Sequence, residues 1–170
     1  MSSESARMTT AEAAKFRIDA PNSRPRAIKV IALDPPSERV VKELAQSRWN
    51  DATFFTASAF AGRPRNNERF SMTGWLSDLA GRTKDLIDEV ASADLIVMVA
   101  SAGTNAAAAA VIAEACGARK VMTTALIIES ETKTDAELSK TLASLRPHAS
   151  MLVIANNDDY IEAMLAALRA

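Results

Sequence analysis

Leu95-Ile96-Val97-Met98-Val99-Ala100 is apolar without a break, and after a five-residue interval Ala106 begins a run of five alanines. An apolar hexamer, then small polar residues, then strong helix formers predicts a buried strand and a tight turn over Ser101-Ala102-Gly103-Thr104-Asn105. A helix follows, its apolar face continuing through Val111, Ile112 and Ala115. Strands that are continuous in apolar residues, rather than alternating, need helices on both faces of their sheet. This passage restricts the chain to an α/β architecture.

The rest of the chain repeats the pattern. Ala27 to Leu33 reads as the first strand, stopped by Asp34-Pro35-Pro36, and Ser37 as the N-cap of a helix over Glu38 to Arg48 with Val40, Val41 and Leu44 inward. Ala52 to Thr56 is a second strand, and Arg82 to Ala93 a helix with Leu86, Ile87 and Val90 inward. Cys116-Gly117 reads as the stop of the alanine helix. Lys120 to Ile128 is the next strand. Thr132 or Thr134 caps a helix to about Leu145, and Pro147 ends it. Ser150 to Ala155 and a helix from Asp158 complete the order.

Between them, Ala57 to Ser77 fits no period and reads as a long loop; Arg63, Arg65 and Arg69 lie in it between Phe60 and Phe70. The expected architecture is a three-layer, Rossmann-like, doubly wound α/β domain over 27–170, with a mainly parallel sheet of about five to six strands. A flexible arm, 1–26, precedes it. Such sheets take ligands at the carboxyl ends of their strands, at the topological switch point, here near Leu33 and Ala100.

The composition narrows the partners. Twenty basic against 21 acidic residues give a net charge of -1, so no overall field draws the chain to nucleic acid or to an anionic membrane. Ser101, Gly103, Thr104 and Asn105 interrupt the longest apolar stretch, so no membrane span is expected. The first residues lack the apolar stretch of a secretory signal. A lone Cys116 allows no internal disulfide, and a cytoplasmic location is the expectation.

Ser101, Gly103, Thr104 and Asn105 have the residue types of an anion cradle: backbone N–H groups at a helix start, with hydroxyl and amide side chains beside them. The same types are the preferred N-caps, and the sequence leaves both readings open. Asp34, at the end of the first strand, is a candidate to meet a ribose hydroxyl or a metal, or simply to form a turn. Glu129 and Glu131 are acid–base candidates that equally suit a solvated loop, and His148 is the single histidine. Cys116, between Ala115 and Gly117, reads as a small buried hydrophobe. No GK[ST] phosphate loop, GxSxG, HExxH or CxxC is present, so no catalytic residue, metal or particular cofactor is predicted.

The stretch from Asp88-Glu89-Val90 through Ala93 to Ala100, the Gly103-Thr104 turn, Ala108 to Ala115, Gly117-Ala118, Val121 to Ile128, Leu145-Arg146-Pro147-His148 and Leu152 to Asp158 resembles the nucleotide-binding half of the tubulin/FtsZ family. The resemblance covers roughly Lys84 to Tyr160. It implies a nucleotide near Gly103 and Thr104, with Asn156 and Asp158 toward the base or ribose; Asp158 is equally an N-cap. The family's glycine run is reduced here to Gly103 and Thr104, and Asp34-Pro35-Pro36-Ser37 replaces its first glycine-rich loop. The family's activation domain has no counterpart before Ala170. The resemblance therefore implies a degenerate single-domain relative without GTPase activity of its own.

The leading expectation is a soluble α/β domain that binds a small anionic ligand, a nucleotide among the candidates, through Asp34, Ser101, Gly103, Thr104, Asn105, Asn156 and Asp158. The first alternative is an interaction module, most simply a homodimer, using Met164, Leu165 and Leu168 of the last helix with Trp49, Trp75 and Phe60. The second is an enzyme acting on a phosphorylated or carboxylated metabolite.

Overall fold

In the computed structural model, which describes residues 25–57, 76–104, 106–129, 133–156 and 158–170, β1 (Ile28–Ala32) lies between β2 (Ala52–Thr56) and β5 (Leu95–Ser101) and runs parallel to both. β6 (Met122–Ile128) and β7 (Met151–Ala155) continue the parallel ladder beyond β5. On the other side β3 (Leu76–Asp78) and β4 (Thr83–Lys84) add two antiparallel strands. The spatial order is β4-β3-β2-β1-β5-β6-β7. The direction of winding reverses between β1 and β5, so the crevice at their carboxyl ends is the switch point.

The sheet thus has seven strands among the described residues, one or two more than the sequence predicts. The extra pair comes from residues read as loop and as helix. Asp78 makes the hairpin: its Oδ1 accepts from the N–H groups of Ala80 at 3.0 Å and Arg82 at 2.8 Å, and Gly81 takes the positive φ of 79° that the turn requires. The Arg82 N–H holds the Asp78 carboxyl below its ordinary pKa. α2 (Leu86–Ala91) then starts later than Arg82. Asp85 caps it, accepting from Ile87 N–H at 2.8 Å.

α1 (Pro35–Leu44) starts earlier than predicted. Asp34 is its N-cap, and Ser37, expected as the cap, sits three residues on and closes a capping box with it. The two prolines occupy the first helical turn, where a missing N–H leaves no bond unmade and a fixed φ suits the helix. α3 (Ala107–Arg119) runs through Gly117 and stops at Lys120, whose φ of 57° and ψ of 33° are left-handed. α4 (Asp135–Leu145) is capped by Thr134 in a box with Glu137; Arg146–His148 form a short 3-10 turn, and α5 (Asp158–Ala167) is last.

Alternate strand residues feed two cores. Ile31, Ile96, Met98, Ala125 and Ile127 pack with Leu86, Val90, Ala109, Ile112 and Leu145 from α2, α3 and α4. Val30, Ala32, Val97, Val99 and Leu126 pack with Val41, Leu44, Ile161 and Leu165 from α1 and α5. Three layers result. The buried alanines 108, 109 and 115 leave α3 short side chains toward the sheet, so its backbone can approach closely.

A Cβ at Gly117 would meet nothing within 4 Å, so the helix carries the entropic cost of glycine without a packing reason. Gly117→Ala is expected to raise stability by about 0.5–1 kcal/mol in urea denaturation; a loss would show that the helix is not continuous there.

Candidate functional site

Asp34 lies two residues past β1 and is only 4% exposed, so its carboxylate must be satisfied by the protein. Three donors converge on it. Oδ1 accepts from Ser37 N–H at 2.9 Å; Oδ2 accepts from Ser101 N–H at 2.8 Å and from the Thr104 hydroxyl at 2.8 Å. The same hydroxyl lies 2.7 Å from the Ser101 carbonyl, so its one proton is shared between two acceptors. Asp34 therefore does at the switch point what a bound anion would do. It lies at the amino end of α1 and ties that end to the turn after β5.

Gly103 holds the positive φ of 82° that bends this turn, and its N–H donates to the Thr141 hydroxyl of α4 at 2.9 Å. Thr141 is 2% exposed and passes its own proton to the Glu137 carbonyl at 3.1 Å. A Cβ at Gly103 would come within 3.1 Å of Glu137 Oε1. The Thr134 N–H and hydroxyl keep the Glu137 carboxyl below its usual pKa, and Lys133 faces it at 3.6 Å.

Four sequence-predicted residues, Asp34, Ser101, Gly103 and Thr104, thus come together: the Asp34 carboxylate accepts from the Ser101 N–H and the Thr104 hydroxyl, and the Gly103 N–H is taken by Thr141 of α4. Asn105 lies outside the described residues, as do Glu131, Arg63, Arg65, Arg69, Phe60, Phe70, Trp75 and the arm up to residue 24. Asn156 stands exposed at the end of β7, two strands from β5, or about 10 Å away. Asp158 opens α5 beyond it; its side chain is outside the described residues. Glu129, at the end of β6, is half-buried and its N–H donates to the Ala155 carbonyl.

The open space lies one step from the crevice. A cavity of about 370 Å³ is bounded by Gly103, Thr104 and Ala106 on one side and by Lys140, Thr141 and Ser144 of α4 on the other. It falls within the size range of small-molecule sites. α3, 13 residues long, starts at its edge from Ala106, whose side chain has no acceptor to cap the helix. Its partial positive charge and the Lys140 ammonium suit an anion. Lys140, Thr141 and Ser144 were missed by sequence reasoning. The legible signal was their helical spacing, which places Lys140 and Ser144 on one face with Thr141 beside it.

His148 and Cys116 are elsewhere. Both line a cavity of about 260 Å³ with Thr123 and Ser150, near the amino ends of β6 and β7. Burial pushes the Cys116 thiol up to about 11, so at neutral pH it is protonated and a poor nucleophile. Among the described residues no group of three acidic, histidine or cysteine side chains could hold a metal ion, and no helix is long and apolar enough to cross a membrane.

No protein-family model matches the chain, and no curated protein matches it. Among solved structures it is similar to translation elongation factor SelB from Methanococcus maripaludis in its apo form. The two share 10% identity at a TM-score of 0.47, over 86% of this chain and 37% of that one.

Proposed function

We propose that this chain is a Rossmann-like domain that binds a small anionic ligand at the carboxyl end of β5. The ligand's anionic group lies between the start of α3 and Lys140, and the rest of it fills the space toward Thr141 and Ser144. The observation that carries this reading is that Ala106, at the amino end of α3, and Lys140 of α4 border one cavity of about 370 Å³. Each favours negative charge, and together they favour it at one place. Asp34 and Ser101 support the turn, and Thr104, held by Asp34, borders the ligand's cavity. Kinship with the tubulin/FtsZ nucleotide-binding half is the finer form of the reading. The succession β5, turn, α3, β6 with Gly103-Thr104 in the turn supports it, and it expects nucleotides to outperform smaller acids.

Thermal unfolding against nucleotides, sugar phosphates and carboxylates tests the proposal. A ligand at about a hundred times its Kd adds about 2.7 kcal/mol, which for a chain of this size raises Tm by roughly 5–10 °C. The shift is expected with at least one anion and should be largely lost in Lys140→Ala. No shift with any anion, or an equal shift in Lys140→Ala, would overturn it.

A further inference from the structure

β7 is an edge strand: among the described residues nothing pairs with its outer side. Its five residues, Met151-Leu152-Val153-Ile154-Ala155, contain no charge and no proline. Edge strands are ordinarily protected by one or the other, because their unpaired N–H and C=O groups template further pairing. The opposite edge has that protection. β4 is two residues long, includes Lys84 and follows the exposed Arg82–Asp78 ion pair. The large hydrophobics exposed among the described residues, Met122, Met151, Ile154 and Tyr160, all lie on β6, β7 or the first turn of α5, at the unprotected side.

We infer that β7 pairs with β7 of a second copy of this chain, antiparallel about a twofold axis at Val153, joining two sheets into one. The strand is complementary to itself in this register. Val153 faces Val153 of the second copy, Leu152 faces Ile154, and Met151 faces Ala155. The small Ala155 borders a hollow of about 160 Å³ that Ile154, Asn156 and Tyr160 also line. Met151, 43% exposed, is the knob that the register brings against that hollow from the other copy, and the twofold repeats the contact. With no charge on either strand, no like-charge repulsion opposes the pairing. Because β4 is protected, the assembly closes at two copies. The stripe of the last helix, which reads either as a dimer surface or as core packing, is packed in the core: Leu165 is fully buried, and Met164, Leu168 and Trp49 pack against the core under α1 and α5.

Sedimentation equilibrium on the full chain tests this. A monomer–dimer equilibrium is expected, and Ile154→Lys, which sets two ammonium groups across the axis, should raise the dissociation constant by at least about tenfold with an unchanged circular dichroism spectrum. Should that variant misfold, Met151→Lys, at a more exposed position, sets an ammonium in place of the knob at the hollow beside Ala155 and should also raise the dissociation constant at least about tenfold. Val153→Cys reads the register: residues paired across antiparallel strands lie about 4.5–5.5 Å apart between Cα atoms, within disulfide reach. Mild oxidation should give a covalent dimer, while the buried Cys116 stays out of the reaction. A protein that is monomeric at high micromolar concentration, a dimer indifferent to both lysines, or a dimer that fails to crosslink through Val153→Cys would overturn the inference.

Discussion

Asp34→Ala is expected to destabilise the protein by about 3 kcal/mol, seen as a fall in Tm of roughly 6–12 °C. The substitution removes the N-cap of α1 and leaves the N–H groups of Ser37 and Ser101 with no acceptor, while the Thr104 hydroxyl keeps only the Ser101 carbonyl. Asp34→Asn should recover less than half of the loss. An amide has one oxygen, and its NH2 must then face either the Ser37 N–H or the Ser101 N–H. Ser101→Ala, by contrast, should cost little at this contact, because the bond to Asp34 comes from the Ser101 backbone. A loss below about 1 kcal/mol for Asp34→Ala would mean that water satisfies these donors and that the crevice between β1 and β5 is open.

The other large effect is expected at Phe55 on β2, where truncation to alanine should cost about 3–5 kcal/mol in urea denaturation with an unchanged m-value. Phe55 is 1% exposed and packs in the core beneath α2 and α3. The Lys29 ammonium lies 5.9 Å from its ring centre, bonded to Glu89 at 3.2 Å and to Thr53 at 3.4 Å. Alanine would leave a cavity and remove the ring face that helps hold this half-buried ammonium. Phe55→Leu, which keeps most of the volume, should cost about 1.5 kcal/mol or less. A loss near 1 kcal/mol for Phe55→Ala would imply that neighbouring side chains collapse into the space.

Together the two substitutions separate the roles of core and crevice. Phe55 contributes burial and a ring face beside the Lys29 ammonium. Asp34 contributes hydrogen bonds that shape the turn next to the cavity of Lys140, so its loss should also weaken the anion-dependent rise in Tm.

The amino-acid sequence determined the elements whose signals are local. β2 has the bounds its residues predict, and β5, β6 and β7 each lie within one or two residues of expectation, because apolar runs bounded by turn residues need no distant partner to be read. Thr134 caps α4, one of the two positions expected. The misreadings are also local in origin. Asp34-Pro35-Pro36 reads as a break, yet the pair of prolines is what a first helical turn accepts; Gly117 reads as a stop, yet Lys120 takes the left-handed position. The hairpin of β3 and β4 was hidden because strands of three and two residues are too short to show a period.

Tertiary structure alone decided which polar groups are free. The bond from Ser101 to Asp34 spans 67 positions, that from Thr104 spans 70, and that from Gly103 to Thr141 spans 38. Residue types mark Ser101, Gly103 and Thr104 as able to meet an anion, and Asp34 as able to meet a hydroxyl or a metal. Only the fold decides that they meet one another, and that the room left for a ligand lies against α4. Hydrogen-bonding capacity is a property of single residues, whereas its satisfaction depends on which residues distant in the chain the sheet order brings within about 3 Å.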